Sequence, residues 1–192
     1  NLLRYHIDRA KPEQISMAID SRLKRDELTY EFFRLVKPKL TKDQVLKILD
    51  AANENKQLSS DVISEAINHE FITDEDVEKI AQEGSPRADG IVAWRSNLAP
   101  SIANKILDKY AHWDGHEDII SALINSGNIH KPDVLISVLK RSNNRELWRN
   151  AALSPNTPPE AIDYIVNAIQ QDKYGKRGDL DEMNTVTRLI NS

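Results

Sequence analysis

Apolar residues recur three and four positions apart in short runs, and no stretch shows the strict apolar–polar alternation of a half-buried strand. The clearest run is Ala161-Ile162-Asp163-Tyr164-Ile165-Val166, whose apolar positions i, i+1, i+4 and i+5 line one helix face. The residues before it read as a stop, a turn and a start. Pro155 and Asn156 end the preceding element, and Thr157 with Glu160 three positions on has the spacing of an N-cap and capping box. Pro158 then falls at the expected first helical position, where a missing N–H costs nothing.

The same start recurs. Thr41-Lys42-Asp43-Gln44-Val45 and Thr73-Asp74-Glu75-Asp76-Val77 repeat the cap spacing. Each has an apolar residue before the cap (Leu40, Ile72) and another five positions later (Val45, Val77), which predicts a hydrophobic staple. Further starts are predicted at Lys11-Pro12, Ala99-Pro100 and Lys131-Pro132. Thr73 and Thr157 lie 84 residues apart, three units of 28. A second set of helices alternates with the first. Asp61–Asn68 matches Asp118–Asn125 at five of eight positions, 57 residues apart, or about two units. Others are expected at 26–36, 89–97, 146–150 and at the closing Leu189-Ile190-Asn191-Ser192. A supersecondary unit repeated every 20–50 residues is the signature of a solenoid, because one hairpin cannot bury its apolar face alone. The expectation is an all-α chain, one domain over 1–192 with about six helical hairpins, standing alone or as a segment of a longer protein. A loop insertion is expected at 170–179.

Ser154-Pro155-Asn156-Thr157-Pro158-Pro159-Glu160-Ala161, followed by an apolar helical run, resembles the leucine-rich repeat variant family, an α-solenoid family akin to HEAT arrays. Ser126-Gly127-Asn128-Ile129-His130-Lys131-Pro132-Asp133 is a looser copy, and Leu98-Ala99-Pro100 keeps only part of the motif. The resemblance implies a right-handed superhelix used as an interaction scaffold in bacteria and phages, cytoplasmic or virion-associated. The unit here is longer than the family's. The cysteine-rich iron–sulfur segment of some members does not carry over, because the chain has no cysteine.

Composition narrows the function classes. Hydrophobic residues make up 40% and charged residues 29%, a soluble globular balance. The formal charge of −4 gives no global pull toward nucleic acid or an anionic membrane. No signal peptide or run long enough to span a bilayer is visible, so no membrane partner is expected. Without cysteine there is neither a disulfide nor a thiolate metal site. No Gly-x-Ser-x-Gly elbow or P-loop spacing occurs. No cofactor and no catalytic residue is assigned.

Three features remain as candidate chemistry. Trp94-Arg95 recurs as Trp148-Arg149, with Lys140, Arg141 and Arg145 just upstream of the second pair. Tryptophan and arginine suit protein hot spots and also phosphate and base contacts. For the indoles, packing between repeats is the favoured reading. Lys176 and Arg177 make the 170–179 insertion basic. The expected partner-binding set is therefore Arg95, Arg145, Trp148, Arg149, Lys176 and Arg177. His112-Trp113-Asp114-Gly115-His116-Glu117 offers two imidazoles and two carboxylates, but no third strong ligand for a metal-dependent enzyme.

Charge is also uneven. Residues 1–47 hold eleven basic and seven acidic groups, and residues 50–90 hold three basic and eleven acidic. Such patches favour a protein partner, or a second copy of the chain, over a uniform nucleic-acid track. The leading expectation is a non-enzymatic protein-binding scaffold. Nucleic-acid binding on a concave basic face is the runner-up, and a metal-dependent enzyme comes last.

Overall fold

The structure is a computed structural model, and it describes residues 2–54, 57–113 and 115–171. Among the described residues every regular element is helical. The helices group into two compact units, Asn1–Arg95 and Ser96–Ser192. No helix among the described residues is long and apolar enough to cross a membrane.

The first unit contains α1 (Leu2–Arg9), α2 (Pro12–Lys24), α3 (Tyr30–Val36), a 3-10 turn (Lys37–Lys39), α4 (Lys42–Asn53), α5 (Ser60–Ile67), α6 (Asp74–Glu83) and α7 (Pro86–Val92). Within it α2 packs on α4, α3 on α5 and α5 on α7, while α4 pairs with α5 and α6 with α7. The core is built from one stripe per helix. Ile15, Ile19 and Leu23 of α2, Val45, Ile48 and Leu49 of α4, Phe32, Phe33 and Val36 of α3, and Val62, Ala66 and Ile67 of α5 are all buried, in helices that pack α2 on α4 and α3 on α5. Each large side chain removed from water in this way contributes roughly 1.5–3 kcal/mol.

The predicted caps at Thr41 and Thr73 form. Thr41 N–H donates to Gln44 Oε1 at 2.9 Å, and Gln44 N–H donates back to Thr41 Oγ1 at 3.4 Å. Thr73 N–H donates to Asp76 Oδ2 at 2.9 Å, and Asp76 N–H donates to Thr73 Oγ1 at 3.3 Å. The staple residues Leu40, Val45, Ile72 and Val77 are all buried. Each third-position capping residue also reaches the preceding long helix. Gln44 Nε2 donates to Pro12 O at the start of α2, at 3.2 Å. Lys42 Nζ at the start of α4 pairs with Asp76 Oδ2 at 2.6 Å. Side chains that satisfy the exposed N–H groups of one helix thus also fix its distance from another.

The second unit contains α8 (Pro100–Tyr110), α9 (Glu117–Asn125), α10 (Pro132–Arg141), α11 (Arg145–Leu153) and α12 (Pro159–Gln171). Here α9 packs on both α8 and α11, and α12 packs on α10 and α11. Ile119 through Ile124 of α9 are all buried, so that helix is the centre of the unit. Polar side chains tie its loops together. Leu98 N–H donates to the buried Asn128 Oδ1 at 3.1 Å, Asn156 Nδ2 donates to Asn125 O at 2.8 Å, and Ser154 Oγ donates to Ile124 O at 3.4 Å. Gly127 makes the turn after α9 with φ +77°, and a Cβ there would lie 3.6 Å from Asn156.

Four boundaries differ from the sequence reading. Helix α12 begins at Pro159, not Pro158. The Thr157 side chain is buried, and its hydroxyl donates to Ala151 O at 2.6 Å, so it ties the loop to α11 and does not cap α12. Pro158 O takes the first backbone bonds, from Ala161 and Ile162 N–H. The helix expected from Asp26 begins only at Tyr30, because Asp26 is left-handed at φ 55° and Thr29 supplies the cap. The helix expected over 89–97 is α7, already begun at Pro86 by the Ser85 cap and finished at Val92, with Asn97 left-handed at φ 56°. Helix α1 was not anticipated. The closing segment 189–192 and the 170–179 insertion beyond residue 171 lie outside the described residues.

Candidate functional site

Helix α11 is started by Asn144, whose Oδ1 accepts from Glu146 N–H at 2.9 Å and Leu147 N–H at 3.1 Å. Leu147, Trp148, Ala151 and Ala152 then turn into the core. That spacing leaves Arg145, Arg149 and Leu153, at i, i+4 and i+8, as one outward row. Both arginines are exposed, and neither has a hydrogen bond or ion pair among the described residues. Leu153 is 48% exposed. The face is therefore two uncommitted guanidinium groups followed by an apolar side chain.

Trp148 supports this row from behind. It is 7% exposed, its Nε1–H donates to Ser142 O at 3.1 Å, and its ring lies 6.0 Å from that of Tyr164. Lys140 Nζ sits over the other aromatic partner, 5.5 Å from the Tyr164 ring centre. The indole is a core side chain with a satisfied N–H, and it offers no open face for stacking.

Arg95 lies in the first unit, in the turn after α7. Its guanidinium donates to Ile67 O at 2.8 Å and Ile72 O at 3.1 Å, and it reaches Asp74 Oδ1 at 3.4 Å. The side chain is 18% exposed. It satisfies carbonyls at the end of α5 and in the loop before α6, beside Asn68, whose Nδ2 donates to Trp94 O at 2.7 Å. The Trp94-Arg95 and Trp148-Arg149 pairs are thus not equivalent, since one follows a helix and the other lies inside one. Lys176 and Arg177 lie outside the described residues.

The histidine loop is occupied differently. Arg141 of α10 donates to Ala111 O and lies 3.3 Å from His112 Nδ1. Tyr110, Trp113 and His116 form a mutual ring cluster, with centres 5.2–5.9 Å apart. Asp114 lies outside the described residues, and no group of three or more His, Asp or Glu among the described residues is arranged to hold a metal.

Sequence reasoning did not single out two polar groupings. Tyr30 Oη donates to Glu65 Oε1 at 2.5 Å, and Lys37 Nζ donates to Glu65 Oε2 at 2.7 Å. Burial pushes the Glu65 carboxyl upward, but the Lys37 and Tyr30 hydrogen bonds outweigh it and leave the group below its ordinary value. Tyr30 is raised by the same hydrogen bond to Glu65. In the second grouping Asp50 is raised by burial and then by the charges of Glu54 and Glu83. Tyr30 and Lys37 lie 35 and 28 residues from Glu65, and Glu83 lies on α6 while Asp50 lies on α4, so local spacing advertises only the Asp50/Glu54 part of these groupings.

No protein-family model, curated protein or solved structure matches the chain.

Proposed function

We propose that the chain is a non-enzymatic protein-binding scaffold, its helical hairpins stacked as a right-handed α-solenoid, and that the outward row of α11 is its contact surface. The stacking is supported by polar bonds that repeatedly join positions 26–32 residues apart: Asn68 to Trp94, Arg95 to Ile67, Leu98 to Asn128, Asn156 to Asn125 and Gln44 to Pro12. Such bonds suit units that each lean on the next. The resemblance of the 154–161 loop to the variant leucine-rich repeats agrees with this arrangement.

The binding function rests on one observation. Arg145, Arg149 and Leu153 combine two charges without partners among the described residues with an exposed apolar side chain. Arginine is among the residue types enriched at protein hot spots. Arg95 and Trp148 have structural work of their own, which leaves Arg145 and Arg149 as the described members of the expected set that are open to a partner.

A photo-crosslinking residue at position 149 tests the reading. Crosslinks to protein, lost in R145E and absent from a probe at the exposed Ser101, are expected. Equal crosslinking at both probe positions, or crosslinking to nucleic acid only, would overturn it.

A further inference from the structure

The partner can be specified further from the chain itself, on the reading that the α11 row is a contact surface. Residues 140–149 carry four basic groups (Lys140, Arg141, Arg145, Arg149) and one acidic group (Glu146). Helix α6, Asp74–Glu83, carries five acidic groups (Asp74, Glu75, Asp76, Glu78, Glu83) and one basic group (Lys79). Asp74 and Asp76 are engaged with Arg95 and Lys42. Glu75 and Glu78 are exposed, with no hydrogen bond or ion pair among the described residues.

Glu75 and Glu78 stand three apart on one helix side, about 5 Å along the axis, and Arg145 and Arg149 stand four apart, about 6 Å. Each pair has an exposed apolar residue near it in sequence: Leu153 follows the arginines on the same helix, and Phe71, 40% exposed, precedes the glutamates in the turn before α6. Two carboxylates thus match two guanidinium groups in number, spacing and opposite charge, with one exposed apolar residue near each pair in sequence.

We infer that the α11 row of one copy docks on the Phe71–Glu75–Glu78 surface of a second copy. A patch that meets a different patch forms a heterologous contact. It extends into an open chain, or closes into a dimer where the same contact is made twice. Exposed charge pairs steer such an encounter and are weakened by salt, so the association is strongest at low ionic strength.

Sedimentation velocity of the purified 192-residue chain over a concentration series tests this at low and high salt. At low salt the weight-average mass is expected to rise above 21.8 kDa with concentration, and to return to that value at high salt. R145E/R149E and E75K/E78K are each expected to abolish the rise while far-UV circular dichroism stays unchanged. An equimolar mixture of the two variants is expected to restore it, because each supplies the charge the other has lost. A monomer at every concentration in low salt overturns the inference. So does association that survives either charge reversal, or a mixture that stays monomeric. If the chain is monomeric but position 149 still crosslinks to a different protein, only the self-docking fails and the scaffold reading stands. A DNA or RNA oligonucleotide that binds through Arg145 and Arg149 in place of a second copy overturns both.

Discussion

Lys42 Nζ lies 2.6 Å from Asp76 Oδ2, the same oxygen that accepts from the Thr73 backbone N–H and hydroxyl at 2.9 and 2.8 Å. One carboxylate therefore closes a helix cap and an interhelical ion pair together. The Lys42 hydrogen bond, followed by the Thr73 backbone bond, lowers its pKa from 3.8 to about 2. A carboxylate held lower in the folded state stabilises the fold above its unfolded pKa, and this contribution fades as pH falls from about 4 toward 2. Its size near neutrality is on the order of 2 kcal/mol. D76A is expected to unfold several degrees below wild type at pH 7. The gap should narrow steadily toward pH 2 in thermal melts followed by circular dichroism.

Arg95 makes a separate prediction. Its guanidinium donates to two carbonyls in a largely enclosed setting, so R95A leaves acceptors at Ile67 and Ile72 without that donor. A loss of about 2 kcal/mol is expected for removing a charged donor of this kind. R95K should recover only part of it, because a single ammonium cannot reproduce the planar fork. Urea denaturation gives the comparison, and R149A serves as the exposed control, with a change of less than about 0.5 kcal/mol.

The tryptophans differ in surroundings in a way fluorescence can read. Trp148 is buried and hydrogen-bonded to Ser142 O, whereas Trp113 is 53% exposed. Acrylamide quenching of W113F should show loss of the most accessible emitting component. W148F should retain that component and destabilise the second unit by roughly 1 kcal/mol through the lost hydrogen bond. A quenching profile unchanged in W113F would contradict these positions.

Gly84 ends α6 in the left-handed conformation at φ 63°, with no atom within 4 Å of where a Cβ would sit. Space is therefore not the constraint, and backbone conformation is. G84A is expected to cost about 1 kcal/mol from that strain alone. G84N should cost less, since asparagine tolerates the left-handed region best after glycine. Equilibrium unfolding of the two variants ranks them.

Much of the fold was legible because helix starts are local. Thr41 and Thr73 carry their partners Gln44 and Asp76 within the same four residues, and the apolar periods that follow assign the buried faces. Thr157 shows where local reading stops. Its spacing to Glu160 is that of a cap, yet its hydroxyl is claimed by Ala151 O on the preceding helix, a competitor that no four-residue window contains. Arg95 and Arg149 show the same limit for the site. Both follow a tryptophan, but one faces carbonyls 28 and 23 residues away and the other faces outward. Only the path of the chain decides which arginine remains available. Asp26 makes a left-handed turn with no glycine to announce it, so α3 starts only at Tyr30.

The second bonds of the capping residues have a direction. Gln44 is completed by Pro12, and Asp76 by Lys42, in each case a residue about thirty positions nearer the N-terminus. A chain made from that end presents the partner group before the side chain that bonds to it. The starts of α4 and α6 can therefore be finished as they leave the ribosome, against a neighbour already in place. Moving Asp76 to the start of α4 and Lys42 to the third position of α6 would preserve both charges at the contact. The exchanged chain would keep the Thr73 hydroxyl's bond to the backbone N–H at position 76 but lose the carboxylate half of the α6 capping box.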